Sequence, residues 1–417
     1  MSVITDLARM WLTRSTKPFI FRNEYDEHLS FSDCEGLGLY VHIPFCKSIC
    51  NFCPYCKVKY DKDICDRYID ALIREIHMVG SQHAGKKTVT SLYFGGGTPA
   101  LVADRLPEII GALRDHFEIT EGIGIELHPN NVVPSVLQKL RDAGVTKISI
   151  GVQSFRSKYQ RILGRSCVGV QDLQNALSQV SFETVSMDFI FALPDQTFED
   201  LKSDIDDAFA CGANHVAIYP FIDFTFTSSP VHAMPKKQKR ALLDRITRYC
   251  EQKGYARSSI WTFANSRDAR YSSMTRDNFL GFGCSATTLL KDQFKINTFS
   301  VDAYIDRIQA NTLPTSLTIR FTLRQRMIYY LFWTAYSTQV DPAAFERFFG
   351  VSLNRMYGLE FLLARLLGFA TFVDGVYRMT LKGAFYYHYY ENYYTLAYID
   401  KMWGIMRKEP FPVEIRL

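Results

Sequence analysis

No stretch of this 417-residue chain runs uninterrupted for about 18 apolar residues, which argues against a membrane-spanning helix. Lopsided charge is missing too: 48 Lys and Arg stand against 43 Asp and Glu, a net of +5. That balance permits an anionic substrate and gives no argument for nucleic acid. Internal repeats at solenoid periods and low-complexity tracts are absent. The densest run, "YYHYYENYY" at 386–394, is aromatic but short. The opening "MSVITDLARMWLTRSTKPF" lacks the long apolar run of a signal peptide and reads as a short amphipathic helix. Cysteine is sparse, with ten in all, and Cys34, Cys65, Cys167, Cys211, Cys250 and Cys284 are scattered singly. Disulfide frameworks belong to small secreted domains, so reduced thiols in a cytoplasmic compartment are expected.

What the chain does have is alternation. Short β-branched and apolar runs, "LGLYVHI" (37–43), "SLYFG" (91–95), "GIEL" (124–127), "KISIGV" (147–152), "VSMDFIF" (185–191) and "HVAIYPF" (215–221), are separated by helix-like stretches. With 47% hydrophobic and 22% charged residues, such a chain can bury a substantial core. Six strand–helix units in alternation imply an α/β fold with a parallel sheet, and a partial (β/α)6 barrel fits better than a doubly wound sheet. The notable residues cluster at the C-terminal ends of the strands, where barrel folds place their chemistry. The texture changes near residue 314. From there "RQRMIYYLFWTAY" and "LEFLLARLLGFA" read as helices, and "TFVDGVYRMTLKG" as a hairpin turning on Asp374-Gly375. The expected division is an N-terminal extension (1–36), a barrel with its extension (37–313) and a small helical, winged-helix-like domain (314–417). Without a basic stripe, the last reads as a packing lid.

Four cysteines gather in "HIPFCKSICNFCPYC" (42–56), directly after the first strand. Spaced x3, x2 and x2, they admit two readings. One is a four-thiolate zinc site; the other is a four-iron cluster held by three cysteines, with one iron left open. Zinc sites usually split their ligands into two separated pairs, and no second pair exists here.

"YVHIPFCKSICNFC" resembles the signature of radical S-adenosylmethionine (SAM) enzymes, in the branch around oxygen-independent coproporphyrinogen oxidase. The resemblance runs from about Tyr40 to residue 290. It implies Cys46, Cys50 and Cys53 as ligands of a [4Fe-4S] cluster, with Cys56 a spare thiol beside the site. Glycines in "YFGGGTPA" (93–100) allow close backbone approach, and their amides can hold a charged group. The resemblance implies Gly96, Gly97 and Thr98 as contacts of the SAM methionine amino group. It further implies Glu126 in "GIELHP" at the ribose, Gln153 in "ISIGVQSF", Arg165 in "ILGRS" at the methionine carboxylate, and Asp188 in "SMDFIFALPDQT". Tyr40 is the candidate catalytic side chain, and "NFLGFGCSA" (278–286) a glycine turn walling a pocket where some members seat a second SAM. His42, His128 and His215 read as structural. Arg257, Arg267 and Arg270 are candidates to receive substrate carboxylates.

The chemistry implied is reductive cleavage of SAM and hydrogen abstraction from a large conjugated or tetrapyrrole-like small molecule. Methyl or methylene transfer from a second SAM is one form of it. An electron donor such as flavodoxin or ferredoxin would be the partner. One alternative is oxygen-independent coproporphyrinogen III oxidase, against which stands the C-x2-C cysteine tail in place of C-x-C. The other is a non-catalytic haem chaperone, against which stands Asp277 where a haem-binding motif would place histidine.

Overall fold

The computed structural model describes residues 3–24, 28–165, 169–266 and 277–417. Six strands and six helices alternate: β1 (Leu37–Ile43), α1 (Lys62–Gly80), β2 (Leu92–Gly96), α2 (Leu106–His116), β3 (Ile123–Leu127), α3 (Pro134–Asp142), β4 (Lys147–Gln153), α4 (Val170–Leu177), β5 (Thr184–Phe191), α5 (Phe198–Ala210), β6 (His215–Pro220) and α6 (Lys236–Gln252). Each strand pairs in parallel with the next in sequence. The order never reverses, so the doubly wound arrangement, with its switch point, is excluded.

Beyond β1 the sheet continues through Asn278–Phe282, parallel to it, and then through three antiparallel strands ending at Thr315–Arg320. Ile20–Arg22 and Glu414–Arg416 complete that side, while Thr262–Ala264 and Ala256–Arg257 extend the sheet past β6. The two far edges share no ladder among the described residues, so the barrel is open.

The helices form for local reasons. Asp61 caps α1 by accepting from the Ile64 amide, and Tyr68, Leu72, Ile76 and Val79 bury one face at helical spacing. Thr197 and Asp200 form a reciprocal capping box at the start of α5. In β1 only Tyr40 is partly exposed; in β3 only Glu126; in β5 only Asp188. Burying an aliphatic side chain contributes about 1.5–3 kcal/mol. A strand sealed everywhere but at one polar position has given up some of that stabilisation there. Those positions are where the site is found.

The textural break at residue 314 does not coincide with a break in the sheet. Thr315–Arg320 is a strand of the main sheet, and Tyr398, Met402, Met406 and Ile415 belong to the barrel core. The small separate core lies between: Met327, Tyr330, Phe345, Leu353 and Tyr377, under helices Leu323–Tyr336, Pro342–Phe349 and Leu353–Leu366. Its hairpin, Ala370–Val373 with Val376–Met379, turns on Asp374 (φ 52°) and Gly375 (φ 79°). Both residues at positive φ make this the turn that suits strand twist. No helix of the described residues is long and apolar enough to cross a membrane.

Candidate active site

The cysteine loop springs from the end of β1. Phe45–Cys46 pairs with Val58–Lys59, pinching the base of an excursion that carries the other three cysteines. All four are free thiols. Cys46 accepts a hydrogen bond from Thr98 Oγ1 (3.7 Å), and Cys50 from Arg165 Nη1 (3.8 Å). Burial pushes the Cys46 thiol up to about 11 and raises Cys53. Buried thiols with raised pKa values become thiolates readily only when a metal arrives.

Spacing separates the two metal readings. A tetrahedral zinc with Zn–S near 2.3 Å holds its sulfurs about 3.8 Å apart. Among the described residues, the group of His, Cys, Asp and Glu ligand atoms gathered within 4.8 Å is His42, Cys56 and Cys284; the sulfurs of Cys46, Cys50 and Cys53 are not so gathered. That leaves these three sulfurs outside a compact mononuclear grouping in this structure. Cys56 points elsewhere, with its sulfur 3.2 Å from the Phe299 carbonyl oxygen. The donor set fits a cluster on three thiolates.

The glycine loop after β2 lies on the same strand end. A Cβ at Gly97 would meet the Phe45 carbonyl oxygen at 2.7 Å, and one at Gly96 (φ 117°) would meet the His42 ring at 2.7 Å. The loop's amides are not open to a charged group. Gly96 N donates to Glu126 Oε2 (3.1 Å), Gly97 N to Ile43 O (2.8 Å) and Thr98 N to Phe45 O (2.8 Å). These glycines are needed for close packing, which turns the sequence expectation about their amides around. Thr98 gives its hydroxyl to Cys46.

Glu126 also accepts from Tyr93 OH (3.0 Å), and burial raises its pKa. Asp188 accepts from Ser149 Oγ at 3.0 and 2.9 Å. Burial and then the charge of Glu126 push it up to about 7. Two buried carboxylates thus feel one another, and among the described residues neither forms an ion pair with Lys or Arg. Such a site favours a ligand bringing positive charge or hydroxyl donors. The sign of the pH effect follows. Because Asp188 binds its proton more tightly when folded, its contribution to stability is full below about pH 4 and lost as pH rises through 7. For a cationic ligand the trend reverses, since only the ionised form attracts it. Affinity for SAM should rise several-fold from pH 6 to 7.5, and Asp188→Asn should flatten that rise; titration calorimetry at the two pH values checks it.

Gln153 ends β4 at φ 69°, a left-handed conformation for a non-glycine residue. Arg165 anchors to the Gly151 carbonyl through Nη2 (2.7 Å) while Nη1 faces Cys50. Tyr40 OH bonds His42 Nδ1 (3.0 Å), and burial raises its pKa well above the usual phenol value. It remains a neutral phenol, able to donate a hydrogen bond but not to serve as a base. His42 Nε2 meets the Cys56 carbonyl (3.0 Å), His128 accepts from the Asn130 amide (3.2 Å) and His215 bonds Ser186 (2.9 Å). All three are structurally engaged.

Two expectations need correction or setting aside. Arg257 donates to the carbonyls of Ser259 (3.2 Å) and Ile260 (3.1 Å), so its guanidinium is spent on backbone. Arg267 and Arg270 lie outside the described residues. One residue escaped sequence reasoning: Glu75 of α1, buried, accepts from Gly283 N (2.7 Å), Tyr304 OH (2.6 Å) and Asn297 Nδ2 (3.2 Å). It holds the glycine turn 278–286 against the barrel. Its only signal was an acidic residue on an otherwise apolar helix face. Glu75→Ala would strip the Gly283 amide and the Tyr304 hydroxyl of this acceptor, while Asn297 keeps the Gly283 carbonyl, and urea unfolding should show a loss of roughly 2–5 kcal/mol.

Comparison with known proteins agrees with this geometry. Residues 40–208 match the radical SAM superfamily. Heme chaperone HemW of Lactococcus lactis is 35% identical over 188 residues, 44% of this chain and 48% of that protein. HemW of Bacillus subtilis is 26% identical over 76% of this chain and 88% of its own length. The oxygen-independent coproporphyrinogen III oxidase of Pseudomonas aeruginosa is 27% identical over 64% and 65%. In structure, coproporphyrinogen III oxidase (HemN) from Escherichia coli superposes with a TM-score of 0.72, at 22% identity, over 88% of this chain and 90% of that one. The chain is thus similar to the radical SAM superfamily over residues 40–208 and, over more of its length, to HemW proteins and oxygen-independent coproporphyrinogen III oxidases; it spans about half of the Lactococcus relative.

Proposed function

We propose that this protein is a radical SAM enzyme that binds a [4Fe-4S] cluster through Cys46, Cys50 and Cys53 and acts on a large conjugated, tetrapyrrole-like small molecule. The observation that carries the proposal is the cysteine excursion at the end of β1, with Cys46 held by Thr98 of the glycine loop and Cys50 by Arg165. When bound with SAM, such a cluster would supply one-electron reductive cleavage of a C–S bond and radical hydrogen abstraction. The polypeptide does the rest. Arg165 would grip the methionine carboxylate, and any ammonium group at the glycine loop would be held by carbonyl oxygens, because the amides are used internally. Glu126 would accept from the ribose hydroxyls, and Asp188 would offset positive charge in the lumen. Gln153 would line the same strand end. Tyr40 holds a proton on its phenol beside His42.

Methyl or methylene transfer from a second SAM at the turn 278–286 is the form of the chemistry we favour, with a flavodoxin or ferredoxin as electron donor. Coproporphyrinogen III oxidase and HemW relatives keep oxidative decarboxylation and haem carriage as competing readings. One observation weighs against haem ligation at position 277. Asp277 sits beside Gly36 at the amino end of its strand, the opposite end of the barrel from the cysteine loop. The test is anaerobic reconstitution with SAM and a strong reductant, with 5′-deoxyadenosine, S-adenosylhomocysteine and haem binding measured in one preparation. S-adenosylhomocysteine would support alkyl transfer. 5′-Deoxyadenosine formed in step with loss of a porphyrinogen would favour decarboxylation. Tight haem binding without SAM cleavage would overturn the enzyme.

A further inference from the structure

Cys56 and Cys284 come from opposite ends of the barrel region and meet in its interior, 5% and 0% exposed. Cys56 closes the cysteine loop; Cys284 lies in the glycine turn. Their sulfurs, with a ring nitrogen of His42, lie within 4.8 Å of one another. The backbone on both sides is pinned. The Cys56 carbonyl is held by His42 Nε2 (3.0 Å), and the Cys284 amide donates to Tyr68 OH (2.9 Å). Neighbouring Gly283 (φ 96°) has no room for a Cβ, which would fall 2.4 Å from Tyr68 OH, and Ser285 is also left-handed (φ 55°). A turn this constrained presents Cys284 to one partner. A mononuclear metal fits less well, because His42 already uses both ring nitrogens, on Tyr40 OH and the Cys56 carbonyl.

We propose that Cys56 and Cys284 are a redox pair that closes reversibly to a disulfide, tying the cluster loop to the glycine turn. Sulfurs within 4.8 Å of one another, on backbone pinned at both sides, are placed to bond when their side chains rotate. Cys56 is the more acidic partner: the Cys284 hydrogen bond, His42 and Arg407 hold it below the ordinary thiol value, whereas burial pushes Cys284 up. The Cys56 thiolate attacks a small disulfide RSSR and releases RS⁻, leaving a Cys56–SR mixed disulfide. Cys284 then gives its proton to RS⁻ and attacks the Cys56 sulfur, displacing the second RS⁻, which takes up the proton that Cys56 had released to solvent. In sum, two protein thiols lose two electrons and two protons, and RSSR becomes two RSH. Transient disulfides of this kind are the form in which reducing compartments use them. Closure would fix the free end of the cluster loop, and reduction would release it.

The test treats the cluster-loaded protein, without oxygen, with bis(2-hydroxyethyl) disulfide, then alkylates, digests without reductant and maps linked peptides by mass spectrometry. A Cys56–Cys284 link in most chains is expected, reversed by dithiothreitol and absent from Cys284→Ser and Cys284→Ala, with Cys46, Cys50 and Cys53 unlinked. Free alkylation of both cysteines, when the same reagent links cysteines in the denatured chain, would overturn the proposal. So would a Cys53–Cys56 link, or one zinc per chain that Cys284→Ser releases. Iron and sulfide counted in the same sample judge the cluster separately, so a link in iron-free protein would sink the proposed function and leave this pair standing.

Discussion

Cys50→Ala is expected to lose the iron–sulfur cluster and lower 5′-deoxyadenosine formation by about 10³-fold or more, equivalent to about 4 kcal/mol of barrier. Cys50 sits half-buried on the excursion between Phe45–Cys46 and Val58–Lys59, outside the packed core. The chain should therefore stay folded, with its circular dichroism unchanged, and the loss would belong to the site. Its sulfur accepts from the Arg165 guanidinium, so the substitution also removes a partner of a cation that burial disfavours. Cys56→Ala gives the contrast. Its sulfur faces Phe299 and Cys284, and the variant should retain full iron on metal analysis.

Gly97→Ala should be strongly damaging in the glycine loop after β2. The added carbon would stand 2.7 Å from the Phe45 carbonyl oxygen and 2.8 Å from the Pro44 carbonyl carbon, both backbone atoms that cannot rotate away. Relief has to come from parting the glycine loop and the base of the cysteine loop. That would break Gly97 N to Ile43 O and Thr98 N to Phe45 O, and take Thr98 off Cys46. Overpacking costs about 1–3 kcal/mol of stability. SAM affinity should fall by a further ~10-fold or more, because misplacement by about an ångström at a site is felt strongly. Denaturant unfolding and SAM titration on the same preparation separate the two effects.

Much of the barrel was legible because strand–helix alternation writes itself in periodicity. All six strand stretches read from β-branched runs are strands, and the hairpin at Asp374-Gly375 is marked by its turn chemistry. The gathering of four cysteines on one excursion after β1 was legible from their spacing. What escaped was whatever depends on partners distant in sequence. The joining of Thr315–Arg320, Ile20–Arg22 and Glu414–Arg416 to the main sheet requires pairing between chain ends that no local pattern records. Glu75 looks like any helix-surface acid until the glycine turn closes over it. The glycine amides were misjudged for a similar reason: Gly-Gly-Gly announces close approach but not what approaches, which here is the chain's own β1 end. Likewise Cys284 was one scattered thiol until folding set it against Cys56.

The central claim is that three thiolates leave one iron open to SAM. Electron paramagnetic resonance of the anaerobically purified, dithionite-reduced protein, recorded with and without SAM, tests it most directly. The account predicts a signal from one reduced four-iron cluster per chain whose g values move when SAM is added. A silent spectrum from a chain holding a single zinc on four cysteine sulfurs, or a cluster signal indifferent to SAM, would contradict it.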